Sequence, residues 1–205
     1  MSEEEVPILT QEFESGVTDN EQLDWPKAKY ILKKTGLLMS NLSFVYFFEY
    51  SITTSFGIQA VTKMCVDNPA CATDGSGSYA MTNAFTILYF CYQVGVFFSR
   101  SSLNYFVIER NWIVTVLQFI NFFLLFLNAF FVYVKSVYIL YIWFIWVGCM
   151  GGSSYVNVIY KIKNSPKLEK TERELAVMML MVFNDVGIFS ASVLALILST
   201  TIWKS

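Results

Sequence analysis

Two carboxylates stand where carboxylates are costly. Glu49 lies in an apolar run about thirteen residues past Gly36, and Asp185 about eleven residues past Glu174. At about 1.5 Å of rise per residue, each would sit roughly 15 to 20 Å into a spanning helix, near the membrane midplane. An ionised carboxylate there is unfavourable unless paired or solvated, so both should face protein or water rather than lipid. No Lys or Arg lies within the apolar runs to pair with them. Desolvation disfavours the charged form, which makes proton exchange with an acidic compartment chemically available. Two readings stay open: the carboxylates couple protons to a solute's movement, or they accept hydrogen bonds that lock helices together.

Other polar groups share the apolar runs. The segment Gly151-Gly-Ser-Ser-Tyr-Val-Asn157 combines small residues with the donors and acceptors of Tyr155 and Asn157. Such a helix can line a polar passage, or it can pack closely on a neighbour and hydrogen-bond across the contact. Asn121 and Asn128, about two turns apart, are expected to hold neighbouring helices together. The chain has no His at all, which excludes His-based catalysis, His proton relays and His metal sites. No nucleophile–base pair, Gly-rich phosphate loop or metal-ligand cluster is evident either, so neither an enzyme nor a bound metal or cofactor is expected.

The elements that must position these groups follow from composition. Of 205 residues, 55% are hydrophobic, 18% aromatic and only 15% charged, against roughly 25% charged in soluble domains. The expected class is an all-α integral membrane protein. About five stretches are long and apolar enough to span, over residues 36–61, 79–99, 112–134, 137–160 and 174–203. Lys135 and Ser136 alone separate the third from the fourth, so those two must form a tight hairpin. The aromatic excess needs no cofactor, since Trp and Tyr favour membrane interfaces.

Eleven of the fourteen basic residues fall on one side of this arrangement, before the first helix, between the second and third, and between the fourth and fifth. Lys63, Lys135 and Lys204 fall on the other. The positive-inside rule then expects a cytoplasmic N-terminus and a luminal C-terminus. A net charge of -2 offers no basic footprint for nucleic acid. Residues 1–35 read as an acidic cytoplasmic tail, expected to be disordered. Residues 1–26 hold eight carboxylates and no base, without the basic start and apolar core of a signal peptide. Within the tail, Glu4 precedes Ile8 and Leu9 at the spacing of acidic dileucine sorting signals; either it is such a signal, with sorting adaptors as partners and an endosomal or lysosomal destination, or it is a merely solvated acidic tail. Cys65 and Cys71 share the Gly- and Ser-rich loop on the luminal side, where a disulfide is expected. Cys91 and Cys149 fall inside predicted helices as free thiols.

Three segments resemble the battenin family of lysosomal and vacuolar membrane proteins: Val45-Tyr-Phe-Phe-Glu-Tyr50, Tyr92-Gln-Val-Gly-Val-Phe-Phe-Ser-Arg-Ser-Ser102, and Gly151 to Asn157. Asn184-Asp-Val-Gly187 and the run that follows resemble the family's last helix. The resemblance implies a major-facilitator-like transporter fold of which residues 36–205 would form the C-terminal half. Pairing with another copy or with a missing N-terminal half would complete it. It implies a role in efflux of a small solute, glycerophosphodiesters or basic amino acids, and in lysosomal pH homeostasis. Glu49 and Asp185 are then candidates for proton coupling, and Gln93, Tyr155, Asn157 and Asn184 for lining the passage. Gly95 and Arg100 match a Gly-x-x-x-Asp-Arg gate pattern in which Ser99 replaces the Asp; Arg100 reads as a gate residue or as a topology anchor. A non-transporting interaction or trafficking protein in the membrane is the alternative function.

Overall fold

Pro26 lies in the first turn of the first helix, where its missing N–H costs no intrahelical bond and its fixed φ suits the helix. That helix, α1, runs Trp25–Ser51 and continues through a π-helical turn, Ile52–Phe56, into α2, Gly57–Cys65. The computed structural model describes residues 25–66, 68–71, 77–101 and 107–203. After a short 3-10 turn, Pro69–Cys71, come α3 (Tyr79–Thr82), α4 (Ala84–Ser101), α5 (Asn111–Phe131), α6 (Val137–Lys163) and α7 (Lys170–Thr201). No strand occurs among the described residues. The protein is an all-helical membrane protein whose described residues form five long rods, the first being α1, the π turn and α2 end to end. On length and composition, α5, α6 and α7 are able to cross a membrane.

The rods alternate in direction. One end gathers the lysines of α1 with those of the α6–α7 turn, and the other holds Cys65, Cys71 and the α5–α6 turn. Side-chain bonds tie the rods at both ends. Lys161 donates to the Glu109 carbonyl and to Asn111 Oδ1 (2.9 Å) at the basic end. At the other, Lys63 donates to the Phe130 carbonyl (3.2 Å), and the Tyr141 hydroxyl donates to the Ala80 carbonyl.

The first helix departs from expectation at both ends, starting at Trp25 rather than Gly36 and running to Cys65 rather than Val61. Part of the expected tail, residues 25–35, is therefore helix. Counting apolar residues finds the portion that suits hydrocarbon, whereas the backbone stays hydrogen-bonded beyond it, with Ala28, Ile31 and Thr35 buried against neighbouring helices. The α5–α6 hairpin is as tight as expected, although α5 ends at Phe131. Val132 takes a left-handed conformation (φ 46), and buried Asn128 holds the turn by accepting from the Val134 N–H at 2.9 Å. Asn128 thus serves its own hairpin, whereas Asn121 does join helices, its Oδ1 accepting from Trp143 Nε1 at 3.1 Å.

Packing is densest between α4 and α6 and between α1 and α7. The first contact depends on two glycines. A Cβ on Gly95 would lie 2.1 Å from the Ile145 carbonyl oxygen, and one on Gly148 2.2 Å from that of Tyr92. Backbones approach this closely where small residues face each other, which is how helices gain dispersion contact in a solvent as apolar as they are. The buried apolar side chains form two separate clusters. One spans Ile31, Leu42, Val158 and Leu180 at the basic end; the other spans Ile52, Phe56, Leu88 and Phe144 towards the opposite end.

Candidate functional site

Between the two clusters lies a polar seam, and Glu49 is its centre. Ile31, Thr35, Met39, Leu42, Tyr46, Glu49 and Ile52 recur at three- and four-residue intervals, so one face of α1 is buried along its length. Glu49 occupies a position on that face where an apolar side chain would be ordinary, and it is 2% exposed. Its carboxylate rests against the backbone of α6 at Gly151, where a Cβ would come within 1.9 Å of Oε1. The Tyr92 hydroxyl donates a hydrogen bond to it from α4. Arg100, two turns farther along α4, acts on it electrostatically.

Around this carboxylate the aromatic rings are ordered. The Arg100 guanidinium lies 4.7 Å over the centroid of the Tyr155 ring. Tyr155 is 6.3 Å from Tyr46, and Tyr46 stacks on Tyr50 at 5.9 Å. A cation over an aromatic face is attracted by the ring quadrupole, so the guanidinium is held by Tyr155 rather than left to swing. The site therefore offers one enclosed carboxylate, several phenol hydroxyls able to donate or accept, and one fixed cation at its exposed edge.

The other sequence-predicted residues fall into distinct places. Gln93 is exposed on α4, and its spacing from Tyr89 and Arg100 puts all three on one face of the helix. Asn157 is fully enclosed and committed: its Nδ2 donates to the Ser153 carbonyl at 2.8 Å and its Oδ1 accepts from the Ile108 N–H at 2.7 Å. It pins the α4–α5 connection to α6, so close contact rather than a passage lining describes it. Gly95 serves the α4–α6 crossing, and Ser99, where the gate pattern has an Asp, turns its hydroxyl to the Val96 carbonyl (3.0 Å) and the Gly148 carbonyl (3.4 Å).

Asn184 and Asp185 divide differently from expectation. Asn184 is buried, with no hydrogen-bond partner for its Oδ1 among the described residues, whereas Asp185 is exposed on α7 and acts electrostatically on Tyr50. Cys65 and Cys71 are joined by a disulfide, with Cα atoms 5.5 Å apart. Cys91 and Cys149 are free. Glu4, Ile8 and Leu9 lie outside the described residues. Sequence reading did not assign Tyr46, Tyr50 and Tyr92 to the site, although their helical phase with Glu49 and with Tyr89 was available as a signal.

The family model described as CLN3 protein matches residues 3–205. Battenin of Dictyostelium discoideum is 34% identical over 165 residues, covering 80% of this chain and 37% of that protein. Protein btn1 of Aspergillus fumigatus is 33% identical over 178 residues, covering 84% of this chain and 36% of that one. Battenin of Canis lupus familiaris is 33% identical over 105 residues, or 51% and 24% of the two chains. The matched region thus spans less than two fifths of these relatives. No solved structure matches.

Proposed function

The chain belongs to the CLN3 protein family, and from that premise we propose that it takes part in moving a small solute across a lysosomal or vacuolar membrane, as a transporter component rather than an enzyme. The observation that carries this reading is Glu49, a carboxylate enclosed at the seam between two apolar clusters, bonded by Tyr92 and held in the field of Arg100. An enclosed charge within a membrane is tolerated where it has work to do. Proton uptake and release at Glu49 would change the net charge of the seam. The Tyr46–Tyr50–Tyr155 rings and Arg100 lie between that change and the exposed edge.

In this proposal Asp185, Gln93 and Tyr155 form part of the solute-facing wall, and Arg100 guards its cytoplasmic edge. Glycerophosphodiesters or basic amino acids are the solutes, and proton-coupled efflux links the protein to lysosomal pH. Sorting adaptors that read Glu4, Ile8 and Leu9 deliver it there. Since the matched region spans less than two fifths of the battenin of Dictyostelium discoideum, transport requires partner segments, supplied by another copy or by an N-terminal half.

The test is Glu49→Gln in the assembled protein, with solute efflux from isolated organelles measured at acidic and neutral luminal pH. The variant should reach the organelle in normal amount and lose the pH dependence of efflux. Unaltered pH dependence would remove Glu49 from coupling. Retention in the endoplasmic reticulum would instead favour a carboxylate that only holds helices together.

A further inference from the structure

A second site lies outside the seam, where α6 ends and α7 begins. A cavity of about 570 Å³ opens there, lined by Lys163, Lys170, Arg173, Glu174 and Val177. Three bases thus converge at the ends of two helices able to span a membrane, the level at which hydrocarbon gives way to headgroups. Arg173 is fixed in place: its Nε donates to the Leu168 carbonyl (3.0 Å) and one of its terminal nitrogens to the Lys163 carbonyl (2.9 Å). These bonds close the α6–α7 turn and leave further guanidinium N–H groups for a ligand. The Lys163 and Lys170 side chains are both exposed, and no ion pair among the described residues engages their ammonium groups.

The surface beneath the cavity is amphiphilic in the matching sense. Val177 forms its apolar side, and the first turns of α7 continue it with Met178 and Val182, both exposed at 61%, before Asp185 interrupts the stripe. A free anion would use the bases and leave this stripe unexplained, whereas a lipid uses both. Glu174, at the rim, can accept from an ammonium or hydroxyl of a headgroup while repelling a bare anion.

We propose that the cavity at the α6–α7 turn binds the phosphate of an anionic glycerophospholipid whose acyl chains pass over Met178 and Val182 of α7. Basic pockets between spanning helices recognise such headgroups by charge and phosphate hydrogen bonding. This proposal is independent of solute transport.

Native mass spectrometry of the full chain, released from micelles holding phosphatidylserine and phosphatidylcholine in equal amounts, tests it. Phosphatidylserine adducts should exceed phosphatidylcholine adducts by about thirtyfold, on the order expected for two surface lysines. Lys163→Gln with Lys170→Gln should remove the preference, Lys163→Arg with Lys170→Arg should keep it, and millimolar inorganic phosphate should not displace the lipid. Equal retention of the two lipids, or a preference unchanged in the folded double Gln variant, would overturn the proposal. Displacement by phosphate would overturn it too, in favour of a free-anion site. If the double Gln variant does not fold, Val177→Trp, which fills the cavity and leaves its charges, should reduce phosphatidylserine retention; unchanged retention would again overturn it.

Discussion

Glu49 and Asp185 lie at similar expected depths in the membrane, yet the fold treats them oppositely. Glu49 is enclosed by α4 and α6, bonded by Tyr92 and seated on a glycine; Asp185 is exposed on α7, with its neighbour Asn184 turned inward instead. Depth follows from counting residues along a helix. Which way a side chain faces depends on phase around the axis, and that decides whether a carboxylate is a component of the packing or a feature of a surface.

The largest expected effect sharpens the Glu49 side. Gly151→Ala puts a Cβ within 1.9 Å of Oε1 and 2.2 Å of Cδ of Glu49, and the carboxylate must leave its seat or α6 must move away from α1. Overpacking of a filled interior costs about 1–3 kcal/mol, and displacement of the carboxylate adds to it. Thermal unfolding in detergent, followed by Trp fluorescence, should show a large loss of stability. Gly36→Ala on the same rod as Glu49 is the control, since a Cβ there meets nothing within 4 Å, and Ala is the better helix former. Equal stability of the two variants would mean that Glu49 has no fixed seat.

Tyr92→Phe is the intermediate case. It deletes the hydroxyl that donates to Glu49 and leaves the ring in place. A hydrogen bond contributes about 0.5–1.5 kcal/mol net, so stability should fall by less than in Gly151→Ala. The pH at which efflux is half-maximal should also move, because the bond favours one protonation state of the carboxylate over the other. An unchanged midpoint would separate Tyr92 from any proton coupling at Glu49.

Much of this was legible in the sequence, and the rest failed for one physical reason. Five rods, the hairpin at Lys135 and Ser136 and the Cys65–Cys71 loop follow from apolar length and turn chemistry, whereas the segment around Gly151 reads equally as a close contact or a passage lining. On α1, Glu49 is in phase with Ile31, Met39 and Leu42, so its enclosure could be read there. On α7 the same reasoning misleads. Its buried positions are Ala176, Leu180, Asn184, Gly187, Ala191 and Leu198, mostly small or polar, while Met178, Val182, Val186 and Phe189 are exposed. In water the larger apolar face would turn inward; in lipid it need not, because the solvent is equally apolar and small residues mark the contact. Asp185 shares the side of the large residues, and its small neighbours show which face packs.

Asp185→Asn should have the smallest effect, and its smallness is what the comparison asserts. The side chain is exposed, and its electrostatic neighbour Tyr50 is on another helix. Surface substitutions away from caps, cavities and paired charges stay within about 0.5 kcal/mol, so yield and unfolding temperature should match the wild type, unlike those of Gly151→Ala. On the proposed solute-facing wall, Asp185 should affect the solute concentration needed for half-maximal efflux and leave the pH dependence intact, the reverse of Glu49→Gln. The two readouts are separable in one efflux assay run across solute concentration and luminal pH. If Asp185→Asn abolishes the pH dependence as completely as Glu49→Gln does, exposure on α7 is the wrong guide to its role. The two carboxylates would then act as one coupled pair across the α1–α7 contact, with the face of α7 that carries Asp185 closed over by protein in the working assembly.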